Sequence, residues 1–187
     1  MRLLETPQAG AYSALLVDYP WHFKTRSEKG QGKSPSRHYE TDRLGRLRDL
    51  PVAQVAARDA WLFMWSTWPH LQEAQEVVRA WSDPGNPWTY STGGSWAKQS
   101  STGRRWAFGT GYLFRSASEP LLLYRRGSPT WHSTTERNLW VAPVRRHSQK
   151  PDEVHDMIRR ATRGPRLELF ARRPADGFDV WGMEAPR

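Results

Sequence analysis

The chain has 187 residues and carries 28 Lys and Arg against 19 Asp and Glu, a net charge of +9 that favours a polyanionic partner, nucleic acid first, over a purely structural role. Eleven Trp, six Tyr and six Phe argue against disorder, and the length suits one domain with a real core. The absence of Cys excludes disulfides, thiolate zinc sites and a Cys nucleophile, while the lack of an apolar membrane span or signal core makes the expected location cytoplasmic.

In chain order, Ala14-Leu15-Leu16-Val17 predicts a buried strand that Asp18-Tyr19-Pro20-Trp21 stops, placing a polar residue at a strand's carboxyl end. Residues 24–38 mix Lys24, Arg26, Lys29, Lys33 and Arg37 with Gly, Ser and Pro and read as a basic loop. A second strand is expected at Trp61–Trp65, followed by a helix whose apolar positions are Leu71, Ala74, Val78 and Trp81. After a turn at 83–87, a strand from Trp88 to Ala97 leads to a second basic loop at 98–115 holding Arg104, Arg105, Trp106 and Phe108. Further strands are expected at Pro120–Tyr124 and Leu139–Val141. A helix over Pro151–Ala161 carries the stripe Val154, Met157, Ile158 and Ala161, with Asp152 and Glu153 in its first turn. Leu167–Ala171 reads as a last strand. Alternating strands and helices predict an α/β domain with a mostly parallel sheet and its sites at the strand carboxyl ends.

Asp18-Tyr19-Pro20-Trp21 holds the sharpest local chemistry: an acceptor carboxylate, carbonyls beside a rigid proline, and a flat ring. An adenine amine is a weak nucleophile because its lone pair is delocalised, so an enzyme using it must accept the amine's hydrogens and orient that pair. Asp18 and the Tyr19 carbonyl suit this task, and Trp21 suits stacking on an extruded base, worth about 1 to 3 kcal/mol, while a strand ending in an Asp turn with a core Trp is the blander reading. Lys150, just before a proline-started helix, suits an anion, although a solvated lysine is the blander reading. Glu168 alternates with Leu167 and Leu169 and suits ribose hydroxyls, or else the solvent face of a half-buried strand. Arg172 either holds a cofactor or pairs with Glu168, and Phe170 reads equally well as core. His147 and His155 lack a third ligand at metal spacing, so no metal is expected.

From about residue 13 to 184 the chain resembles the N6-adenine methyltransferase family typified by the catalytic subunit of the messenger-RNA adenosine methyltransferase. The resemblance rests on Asp18-Tyr19-Pro20-Trp21, His38-Tyr39, Leu62-Phe63-Met64-Trp65, Gly111-Tyr112 with Glu119, His147 to Glu153, and Gly164 to Arg172, in that order. It implies a Rossmann-like fold that binds S-adenosylmethionine and methylates adenine N6, with the acidic tetrapeptide (Asp18, Tyr19, Pro20, Trp21) as the catalytic motif. It further implies Lys150, Glu168, Phe170 and Arg172 at the cofactor, and Tyr39 and Glu119 near the acceptor base; from the chain's own chemistry Arg104, Arg105 and Trp106 are candidate contacts to phosphates and bases, with plain solvated surface the blander reading. Tyr19 and Met183 depart from the family pattern, which usually has Pro and often Asn there. DNA is favoured over RNA as the acceptor, since the small bacterial and phage members are mostly linked to DNA. A catalytically inactive subunit and a basic single-strand-binding module are the rivals, and a homodimer stays open.

Overall fold

Alternation along the first strand sets the architecture. In β1 (Tyr12–Val17), Leu15 and Val17 pack in one apolar cluster while Ala14 and Leu16 pack in another, and all four are buried. A strand apolar on both faces needs cover on both, the usual condition of a parallel sheet. The structure, a computed structural model, describes residues 9–21, 44–109, 111–146 and 149–182. Among these, β2 (Ala56–Trp65), β3 (Thr89–Gln99), β4 (Ser118–Arg126), β5 (Leu139–Pro143), β6 (Arg166–Leu169) and β7 (Asp179–Trp181) join β1 in one sheet of order β5-β3-β4-β2-β1-β6-β7. Neighbouring strands are parallel except where β4 runs against β2 and β3. The fold is therefore the expected mostly parallel, Rossmann-like one.

Helices close both faces. On the Leu15 and Val17 side lie α1 (Leu44–Arg48), α2 (Val52–Val55) and α3 (Leu71–Ala80), which bury Leu47, Val52, Val55, Ala74, Val77 and Val78 against Leu62, Met64 and Leu122. Trp81, just past α3, is buried with them and donates from Nε1 to the Leu47 carbonyl at 2.7 Å. On the other side α4 (Asp152–Ala161) sets Val154, Met157, Ile158 and Ala161 against Ala14, Leu16, Phe63 and Trp65. That is the stripe read from the sequence. At roughly 2 kcal/mol for each fully buried aliphatic side chain, it suffices to hold a ten-residue helix that would be marginal alone.

The strand expected over Leu167–Ala171 is shorter, Arg166–Leu169, and is not the last, since β7 (Asp179–Trp181) adds to its free edge; two further strands, β2 and β4, run longer than expected for identifiable reasons. β2 starts at Ala56, five residues before Trp61, because parallel pairing with β1 reaches back to Tyr12↔Ala56 across an irregularity; Arg58 and Asp59 on this stretch are exposed and give no apolar signal. β4 contains Pro120 although it lies between two neighbours. Its ladder with β2 ends at Trp65↔Leu121, so the proline sits past that ladder and only its carbonyl is used, accepting the Ser66 N–H at 3.0 Å. Since every strand but β4 runs the same way, the carboxyl ends of β1, β2, β3, β5, β6 and β7 gather with the start of β4 along one edge.

Candidate active site

β1 lies at the switch point of the sheet, with β2 on one side and β6 on the other, and ligands of open α/β sheets bind outside the strand ends at such a point. Asp18 stands there. Its N–H donates to the Leu169 carbonyl at 3.3 Å, carrying the β1–β6 ladder one residue past Val17↔Leu169.

Four charged side chains from four segments converge on this edge. Lys150 donates from Nζ to Asp18 Oδ1 at 2.7 Å and lies 3.4 Å from Glu119 Oε2, while the other Glu119 oxygen accepts from Lys98 Nζ. Lys150 also sits 5.6 Å over the Trp65 ring and Lys98 5.2 Å over that of Trp96. The side chains of Lys150 and Asp18 are only 8% and 12% exposed, so this is no solvated lysine. Burial pushes the Asp18 carboxyl up from its ordinary value, against the pull of Lys150 and Arg172. For Glu119 burial acts the same way but is outweighed by Lys150 and Lys98, which hold its carboxyl below the usual range. Lys150 is raised because its two carboxylates outweigh its own desolvation. The arrangement is a neutral row of two acids and two bases, with an acid of raised proton affinity at the switch point.

A row of aromatic rings runs past Asp18. Tyr19 meets Phe170 edge-on at 5.2 Å and Trp21 at 5.3 Å, and Phe170 meets Trp181 at 5.3 Å. Phe170, just past β6, has φ +64°, a left-handed conformation that costs an aromatic residue on the order of 1 to 3 kcal/mol. Trp21 sits where the reading as a core Trp put it. It is buried, it donates from Nε1 to the Trp65 carbonyl at 3.0 Å, and its ring stacks on His70 at 5.5 Å. Here the indole braces the acidic turn against the end of β2.

Glu168 also departs from expectation. The alternation correctly puts it opposite Leu167 and Leu169, but that face lies under α4 and not in solvent, and Glu168 Oε2 is 2.8 Å from His155 Nε2. Among the described residues its side chain thus meets a histidine of α4. Arg172 is half-buried and close enough to act electrostatically on both Asp18 and Lys150. Arg104, Arg105 and Trp106 are exposed on the loop between β3 and β4. Tyr39, the 24–38 loop, His147 and Met183 lie outside the described residues. Sequence reasoning gave no role to Lys98, His70 or Trp65. For Lys98 a signal existed: it shares a strand face with Trp96, which pairs directly with Glu119.

A family model described as MT-A70 matches residues 12–184. The type II methyltransferase M.MunI of Mycoplasma sp. is 27% identical over 194 residues, covering 94% of this chain and 78% of that protein. The N(6)-adenosine-methyltransferase catalytic subunit METTL3 of Homo sapiens is 28% identical over 177 residues, which is 92% of this chain but 27% of METTL3. A probable MT-A70-like N(6)-adenosine-methyltransferase of rice, Oryza sativa subsp. japonica, is 26% identical over 165 residues, with 87% of this chain and 21% of the relative covered. The chain thus spans most of one relative and about a quarter of the others.

Proposed function

Because the chain belongs to the MT-A70 family, we propose that it is an S-adenosylmethionine-dependent N6-adenine methyltransferase acting on DNA, with Asp18 at the acceptor amine. The observation that carries this reading is the buried Asp18–Lys150 pair at the switch point, built from residues far apart in sequence and aligned with nothing the core requires. DNA is favoured over RNA in line with the similarity to a type II methyltransferase, 27% identical over 94% of this chain.

S-adenosylmethionine combines a carboxylate, two cationic centres and a purine. The edge offers Lys150 and Arg172 for the carboxylate and the rings of Phe170 and Trp181 for the purine, so the donor set fits. When bound, the group supplies an electrophilic methyl on a sulfonium. Asp18 and the Tyr19 carbonyl accept the two amine hydrogens and turn the lone pair toward that methyl. As the N–C bond forms and the S–C bond breaks, nitrogen becomes cationic, and Asp18, its proton affinity already raised by burial, takes the proton it sheds. Lys150 holds Asp18 through Oδ1, and Pro20 stiffens the turn that presents the carbonyl.

The test is Asp18→Ala in a tritiated-methyl assay on DNA, with calorimetry of S-adenosylmethionine beside it. Transfer is expected to vanish while cofactor affinity stays within about fivefold, since a contact made mainly in the transition state lowers turnover and not binding. Retained transfer removes Asp18 from the chemistry.

A further inference from the structure

The loop between β3 and β4 leaves the sheet at the site edge and is a built element. Ala107 N–H donates to the Lys98 carbonyl at 2.8 Å, Ser100 N–H to Arg105 at 2.7 Å, Lys98 N–H to Ala117 at 2.9 Å and Gly109 N–H to Ser116 at 3.0 Å. Gly111, at φ +59°, makes a turn so tight that a Cβ there would overlap the Phe114 carbonyl oxygen. That turn pushes Leu113 and Phe114 outward, 95% and 90% exposed. Such exposure of two adjacent large apolar side chains points to a partner that covers them. The charge around them selects its kind. Arg104, Arg105 and Arg115 are exposed on the same loop, and no Asp or Glu occurs between Asp83 and Glu119. A polyanion fits this loop.

We propose that Leu113 and Phe114 form a wedge that enters a DNA duplex beside the target adenine and fills the space left when the base turns out toward Asp18. The inference rests on the adenine methyltransferase reading above and adds to it the duplex and the residues that open it. Adenine N6 is inaccessible to an enzyme while stacked and paired, so the base must leave the helix, and apolar wedges are a recurrent way to hold the opened step. A leucine at the tip favours gap filling over a single-strand platform, because it has no flat face on which a base can stack. The loop's root is joined to the site by the row Lys98, Glu119, Lys150 and Asp18, so root and acceptor carboxylate are held by one set of ion pairs.

The experiment compares wild type with the Leu113→Ser/Phe114→Ser double variant, whose exposed positions leave the core untouched. The substrate is genomic DNA free of adenine methylation, native or heat-denatured, with tritiated S-adenosylmethionine, so no target sequence need be known. The native-to-denatured rate ratio is expected to fall about tenfold or more in the variant, with the denatured rate changed less than about threefold, because denatured DNA has little stacking to break. An unchanged ratio overturns the wedge, whether both rates stay or fall together, and so does a wild-type dimer that the variant loses on light scattering with its ratio intact. Wild-type activity on denatured DNA alone also overturns the wedge while leaving the methyltransferase reading standing. Wild-type inactivity on both forms overturns that reading and the wedge with it.

Discussion

Replacing Lys150 with Met removes the ion-pair partner of Asp18 and one of two for Glu119 among the described residues, in a place where water replaces little of what is lost. Breaking a buried pair by deleting one partner costs about 3 to 5 kcal/mol, most of it from the charge left behind. Glu119 keeps Lys98, so the stranded charge is that of Asp18, and the lower half of that range, about 3 kcal/mol, is expected at pH 8. The deficit depends on pH with a definite sign. Without Lys150 the Asp18 carboxyl, already pushed up by burial, rises further above its unfolded value, so the folded variant binds a proton more readily than the unfolded chain. The variant therefore recovers stability relative to wild type as the pH falls from 8 to 5. Adding Asp18→Asn should restore most of the loss at pH 8, since neither charge then remains buried and unpaired. Urea unfolding followed by Trp fluorescence at both pH values measures all three proteins. A single variant within about 1 kcal/mol of wild type at pH 8, and no better at pH 5, would refute the network as the structure draws it.

The loop contacts separate by salt. Arg104→Ala/Arg105→Ala should weaken duplex binding and flatten its log-log salt slope by up to about 0.9 for each lost phosphate contact, whereas Trp106→Ala, 60% exposed in wild type, should weaken binding at an unchanged slope; fluorescence anisotropy across a salt series reads both, and equal slopes for all three proteins remove the arginines from the phosphates. Tyr124 is buried, its hydroxyl has no hydrogen-bond partner among the described residues, and burial pushes its ionisation up to about 12. Tyr124→Phe should thus be neutral or stabilising by up to about 1 kcal/mol at pH 7. Because the folded state resists ionising this phenol, its share of stability is whole below pH 10 and lost as the pH rises toward 12; thermal melts of the variant should fall less steeply over that window, and identical alkaline slopes would show the hydroxyl to be hydrated.

Local pattern was enough to place several elements. The apolar run before Asp18, the helix stripe Val154, Met157, Ile158 and Ala161, and the strand before Phe170 could be read from the sequence because each is written in consecutive residues whose period shows which faces are apolar. The motifs in their order also pointed to the family. Which residues meet was another matter. Lys150 and Asp18 lie 132 positions apart, and Glu119 joins them only because β4 runs antiparallel between β2 and β3 and delivers its first residues to the edge where β1 ends. Alternation put Glu168 on the far face of its strand yet left open what covers that face, and only the docking of α4 set His155 against it. Trp21 had a ring suited to a base, but the position of His70 after β2 turned it into a brace. Periodicity is a property of neighbours along the chain, while the register of parallel strands joined by long crossovers is a property of the packed sheet. The charges that make the site are brought together by the second, so their contacts with one another became visible only in three dimensions.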